Sequence, residues 1–148
     1  MLSTIRRLAD LTLVEHALLL QLTALSLGLR VALATMALPR LISLLPRSAA
    51  SSLLSQIPFL HTRCTPDRLL TLVDLATTVS HGDGRCLPRS LLLFWLLHAR
   101  QESVELCIGV GKHNTTLEGH AWIERDGIVW GDTRSFTNRY APFLRLSA

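Results

Sequence analysis

The chain has 148 residues, 49% apolar and 18% charged, with a net charge of +4. That is enough apolar material to close one core, and it excludes a disordered chain. The cations are scattered arginines, with no dense basic run interleaved with aromatics, which argues against a nucleic-acid interface. The three cysteines, Cys64, Cys86 and Cys107, are odd in number and widely spaced, so they do not form a disulfide framework. Thiols left free suit a reducing compartment, and the expected location is the cytoplasm. No Cys-x-x-Cys pair is present, so no metal is expected, and no phosphate-binding glycine loop gives ATP a seat. No cofactor is expected.

The first half is rich in leucine. Arg6, Arg7 and the apolar run from Ala17 to Leu38 resemble a signal peptide or a membrane span. Asp10 and Glu15 sit where a signal peptide avoids acids, and Arg30 interrupts any span, so a long buried helix from about Asp10 to Ala37, ending at Pro39, is expected. Pro39 and Pro46 then punctuate a basic connector that leads to the small residues Ser48 to Ser52. The surplus of leucine calls for a partner or a membrane surface.

Thr65 followed by Pro66 reads as an N-cap and first helical position, and Leu69, Leu72, Val73 and Ala76 recur at helical spacing to about Ser80. His81-Gly82-Asp83-Gly84 is a turn. A third helix opens near Cys86, where Pro88 is tolerated, and Leu91 to Leu97 is apolar nearly all round, so this helix is central. Val104, Leu106, Ile108 and Val110 then alternate with Glu105, Cys107 and Gly109, a strand pattern. Lys112 to Thr116 is a polar loop, and His120–Glu124 and Ile128–Asp132 form two further strands. Helices first and an antiparallel sheet after them make the fold class α+β.

Cys86 follows a glycine turn and begins a helix, where outward-pointing amides and the helix dipole favour thiolate over thiol. Position alone also fits a small buried cysteine. The hairpin raises the case for chemistry. A three-residue loop of Arg125, Asp126 and Gly127 pairs Glu124 with Ile128, Trp122 with Trp130 and His120 with Asp132. Directly paired residues share a face with Cβ atoms roughly 4.5–5.5 Å apart. A two-residue loop would instead put His120 and Asp132 on opposite faces. Cys86 as nucleophile, His120 as general base and acid, and Asp132 as the group that orients His120 fit acyl transfer. The sequence does not identify the oxyanion hole; the Cys86 backbone amide is one candidate donor. Cys107 reads as a packing residue beneath a helix and Cys64 as incidental. His113 and Trp122 are the expected substrate-side residues.

The segment Arg85-Cys86-Leu87-Pro88-Arg89-Ser90-Leu91, with Ile108-Gly109-Val110, Gly119-His120-Ala121-Trp122-Ile123-Glu124 and Gly131-Asp132, resembles the lasso-peptide leader peptidases, which are transglutaminase-like cysteine proteases. The resemblance covers the chain from about Cys64 onward. It implies a transglutaminase/papain-like core with the nucleophile at a helix N-terminus. Length fits one domain over residues 1–148, with a leucine-rich helical part at 1–50 and the catalytic core at 51–148. The family's Cys, His and Asp fall on Cys86, His120 and Asp132. Its activity is removal of the leader from a ribosomally made precursor, so that an ATP-dependent lasso cyclase can join the new α-amine to an Asp or Glu side chain. The N-terminal half reads as helix, without the small winged-helix module some members carry. The chain is therefore expected to be the free-standing peptidase, with a separate leader-binding protein (a RiPP recognition element) as partner. A transglutaminase-like acyltransferase with the same triad, and a catalytically dead homologue that binds peptide, are the rival readings.

Overall fold

A computed structural model of the chain describes residues 11–50, 64–113 and 115–147. The basic pair Arg6 and Arg7, Asp10, and the end of the Ser48–Ser52 stretch lie outside these residues. The elements run in chain order as α1 (Leu13–Thr35), α2 (Leu38–Ala50), α3 (Pro66–His81), a 3-10 turn (Gly82–Gly84), α4 (Cys86–Ala99), β1 (Glu105–His113), β2 (Thr116–Arg125), β3 (Ile128–Trp130), α5 (Arg134–Thr137) and β4 (Ala141–Ser147). The fold is α+β: helices, then a four-stranded antiparallel sheet in the order β3-β2-β1-β4.

Helix α4 is the axis of the core. Leu91, Leu93, Phe94, Leu96 and Leu97 are buried all round it. Leu69, Leu72, Val73 and Ala76 of α3 close on one side, and Leu106, Ile108, Ala121 and Ile123 of the sheet on the other. Thr65 caps α3 by accepting from the Arg68 amide, with Pro66 in the first turn as the sequence dictates. Alternation along β1 and β2 sends Leu106, Ile108, Ala121 and Ile123 inward, and Cys107, His120, Trp122 and Glu124 to the other face.

Two expectations about the first half are corrected. Helix α1 starts at a capping box, where the Thr12 hydroxyl accepts from the Glu15 amide and Glu15 accepts from the Thr12 amide. It is not a buried helix. It buries Leu18, Leu22 and Ser26, while Leu13, Leu20, Leu27 and Val31 are exposed. Leucine around the whole circumference hides which face the fold covers. By length and composition alone α1 could cross a membrane, a test that core helices and signal sequences also pass. The second correction is the connector after Pro39, which is helix α2, because a proline in the first turn lacks only an amide that had no partner there.

Three contacts hold α1 along α3. Arg68 pairs with Glu15 at one end. At the other, Arg30 Nη1 donates to the Ser80 carbonyl at 2.7 Å, and the Ser26 hydroxyl meets the His81 ring at 3.3 Å. The helical layer is thereby fixed at the turn that precedes Cys86.

Candidate active site

Cys86 is the first residue of α4, directly after the glycine turn. Arg85, at the N-cap, offers no side-chain hydrogen bond to the first-turn amides. Pro88 has no N–H and the Arg89 amide donates to the Arg85 carbonyl at 2.9 Å, so the Cys86 and Leu87 amides are the ones left for an anion. The Cys86 sulfur accepts from the Leu87 amide and from the Ala121 amide of β2.

The second donor exists because β3 is short. The ladder between β2 and β3 pairs Arg125 with Ile128, Glu124 with Val129 and Ile123 with Trp130, and stops there. The loop is thus the two residues Asp126 and Gly127, both at positive φ, 51° and 74°. This is the primed hairpin turn that Asp-Gly favours. The expected three-residue loop, with its pairings of Trp122 to Trp130 and His120 to Asp132, is therefore corrected. Continued in the observed register, Asp132 would stand opposite Ala121 and point away from His120. It does not, because the chain leaves the sheet at Gly131, whose φ is +76°. The backbone groups of Ala121 are left without a strand neighbour, and α4 takes them up. Cys86 accepts from the amide, and the buried Ser90 hydroxyl donates to the carbonyl at 2.9 Å. Cys86 and Ser90 lie four apart, on one helix face.

The same departure from the sheet turns Asp132 back toward His120. Asp132 Oδ2 lies 3.1 Å from His120 Nε2. This leaves the other ring nitrogen for Cys86, to which His120 is hydrogen-bonded. Arg89, buried one turn after Cys86, braces the carboxylate. Its Nη2 donates to the Gly131 carbonyl at 2.7 Å, its Nη1 lies 3.7 Å from Asp132 Oδ2, and its Nε pairs with Asp74 of α3. A Cβ on Gly131 would come within 2.8 Å of Arg89 Nη2 and 2.9 Å of Leu70.

Aromatic rings surround the imidazole. Trp122 stacks on it at 6.0 Å between centroids, Phe136 of α5 meets it edge-on at 4.9 Å, and Tyr140 lies at 5.0 Å. Trp122, expected on the substrate side, is buried behind the ring, with Nε1 donating to Glu124 Oε1 at 2.9 Å. Arg85, Cys86, His120, Asp132 and Phe136 line a cleft of about 420 Å³. Phe136 also walls a neighbouring cleft of about 190 Å³ between Lys112, Glu118, Arg139 and Tyr140.

The electrostatics follow from these contacts. The hydrogen bond from His120 is the largest influence on Cys86, and with the two amides it outweighs burial and holds the thiol below its ordinary range. Burial opposes the charged ring of His120, but hydrogen bonds to Asp132 and Cys86 win, and its pKa is pushed up to about 9. These influences favour thiolate beside imidazolium.

The other candidates stand elsewhere. His113 ends β1 opposite Thr116, and only its backbone is described. Burial raises Cys64 above its ordinary range. Cys107 lies under Arg145 on the outer face of the sheet, not beneath a helix. Arg145 Nη1 is 3.3 Å from its sulfur, 2.5 Å from Glu105 and 2.9 Å from Glu124. Glu105, Cys107 and Glu124 bring metal-type ligand atoms within 4.8 Å of one another, but the guanidinium already supplies that cluster's cation. Arg89, Asp74, Phe136 and Tyr140 are the neighbours sequence reasoning missed.

Comparison with known proteins agrees with this architecture. No curated protein and no solved structure matches the chain. The family model of the transglutaminase-like superfamily matches residues 19–145, from within α1 to within β4. The chain therefore belongs to the transglutaminase-like superfamily.

Proposed function

We propose that the protein is a cytoplasmic cysteine peptidase that removes the leader from a ribosomally made lasso-peptide precursor, with a separate leader-binding protein delivering the substrate. The observation that carries the reading is that Cys86, His120 and Asp132 line one cleft of about 420 Å³, with Asp132 Oδ2 3.1 Å from His120 Nε2. The Cys86 thiolate attacks the carbonyl that ends the leader. The oxyanion that forms faces the Cys86 amide at the start of α4. The His120 imidazolium gives its proton to the departing amine, which becomes the N-terminus of the core peptide. Water, deprotonated by His120, then cleaves the thioester and frees the leader as an acid. The released amine is the group an ATP-dependent cyclase would consume.

The exposed leucines of α1 support a docking role for the helical half. Arg30 of the same helix is tied to Ser80 and so serves the α1–α3 contact. Tethering the leader near Cys86 would raise its local concentration to about millimolar for a short flexible linker.

An acyltransferase is the second reading, favoured by membership of the superfamily, since the same thioester can pass to an amine as well as to water. Mass spectrometry of a precursor incubated with this chain, with and without the leader-binding protein, and with a primary amine present, separates the readings. Free leader acid and core peptide, formed faster with the partner, are expected. An amine adduct on the leader would make the protein an acyltransferase. Binding of the precursor without any covalent change would make it a peptide-binding module.

A further inference from the structure

We propose that Arg89 is a positioning residue that sets Asp132 against His120 by fixing the turn at Gly131. The inference rests on the cysteine-nucleophile reading of the site and adds to it the group that maintains its geometry. Asp132 has no strand to hold it, because the ladder ends at Trp130 and Gly131 turns the chain at positive φ. A carboxylate on such a turn needs an external brace to keep one orientation.

Arg89 is built as that brace. Its side chain is 8% exposed, and its planar fork spans acceptors from separate elements. Asp74 of α3 anchors Nε, the Gly131 carbonyl takes Nη2 at 2.7 Å, and Asp132 Oδ2 faces Nη1 at 3.7 Å. The last distance is too long for a hydrogen bond. The direct bond falls instead on the peptide that carries Asp132, and the charge holds the carboxylate from one side while His120 holds it from the other. Cys86, Arg89 and Ser90 share a helix face, so one stretch of α4 carries the nucleophile, the brace and the anchor to β2.

The test is the rate at which Cys86 is alkylated by iodoacetamide, followed from pH 5 to 10 in the full chain. Alkylation reports the thiolate and needs no precursor. Arg89→Met keeps the length of the side chain and removes the fork, and the 44% exposed Asp74 can be solvated in its absence. We expect alkylation at pH 6 to slow by roughly 10-fold to 100-fold. The midpoint of the profile should rise, as it should in Asp132→Asn. The double variant should be no slower than the worse single one, since both changes act through one contact. Arg89→Lys should recover only part of the rate, because a point charge cannot span the same acceptors. It also serves if Arg89→Met does not fold. A wild-type profile in the Arg89 variants, or losses that multiply in the double variant, would overturn the proposal. A wild-type enzyme whose Cys86 is alkylated only at the pH of an ordinary thiol would remove the cysteine-nucleophile reading itself, and this inference with it.

Discussion

Cys86 and Cys107 carry the same functional group on opposite sides of His120's strand, and their surroundings send them in opposite directions. Cys107 has no exposed surface and pairs with Trp122 across β1 and β2. Burial first, and then the charge of Glu124, push its thiol up to about 12, against the pull of Arg145. Burial also acts on Cys86, yet His120 and the amides of Ala121 and Leu87 more than offset it. Withdrawal from water therefore does not decide a cysteine's reactivity. Donors that can hold the anion do, and the fold supplies them at Cys86 by starting a helix where a strand has just ended.

The comparison should break most sharply at Cys86 and the ring beside it. Cys86→Ala and His120→Ala are each expected to lower precursor cleavage by roughly 10⁴-fold or more, with unchanged circular dichroism. Appreciable turnover by Cys86→Ala would remove the cysteine mechanism. Asp132→Asn should be milder, by roughly 10²-fold, since an amide still orients the ring but stabilises the imidazolium poorly. The pH dependence sharpens this. Cleavage should fall at low pH as the Cys86 thiolate takes a proton, and again above pH about 9 as His120 loses its own. Asp132 raises the His120 pKa, so in Asp132→Asn the alkaline limb should move to lower pH. An unmoved alkaline limb in that variant would separate Asp132 from the titration of His120.

A smaller effect is expected at the turn. Gly131→Ala places a Cβ at φ +76° and against Arg89 and Leu70. Stability should drop by about 1–3 kcal/mol, and cleavage should fall with it as Asp132 loses its place. Chemical denaturation and cleavage assays on the same preparation check both. A fully stable, fully active variant would show that the turn does not need its glycine.

How much of this was legible depends on whether a feature is local. Thr65-Pro66, the glycine turn before Cys86 and the alternation of Leu106 and Ile108 are written in neighbouring residues, and the elements follow them. The hairpin was not decidable in the same way. Asp126-Gly127 closes either a two-residue or a three-residue loop, and the choice changes the face of every following side chain. His120 and Asp132 stand together, but through the bend at Gly131 and not through strand pairing. That bend depends on where β3 stops, which depends in turn on α4 occupying the Ala121 backbone, a contact between residues 31 apart. Phe136 and Tyr140 come from a stretch with no clear period, and Arg89 looks in sequence like any solvated arginine. The burial of one face of α1 is likewise a property of what packs beside it.

The smallest effect is expected at the cysteine that lost the comparison. Cys107→Ala removes a sulfur that Arg145 touches at 3.3 Å but leaves that guanidinium its contacts with Glu105 and Glu124 at 2.5 and 2.9 Å. Both ion pairs of Arg145 therefore remain, and what is lost is packing beneath them. A buried side chain shortened by one heavy atom should cost about 1 kcal/mol or a little more. Trp122 is the route by which the change could reach the site, since it pairs with Cys107 and stacks on His120. Its indole is also tied to Glu124 at 2.9 Å and should keep its place. Cleavage by Cys107→Ala should thus stay within about twofold of wild type, a surface-like response from a buried residue. Alkylation at neutral pH should still modify Cys86 and expose no thiol that wild type protects. A tenfold loss of cleavage with unchanged stability would place Cys107 in the working site and end the division of labour drawn between the two thiols.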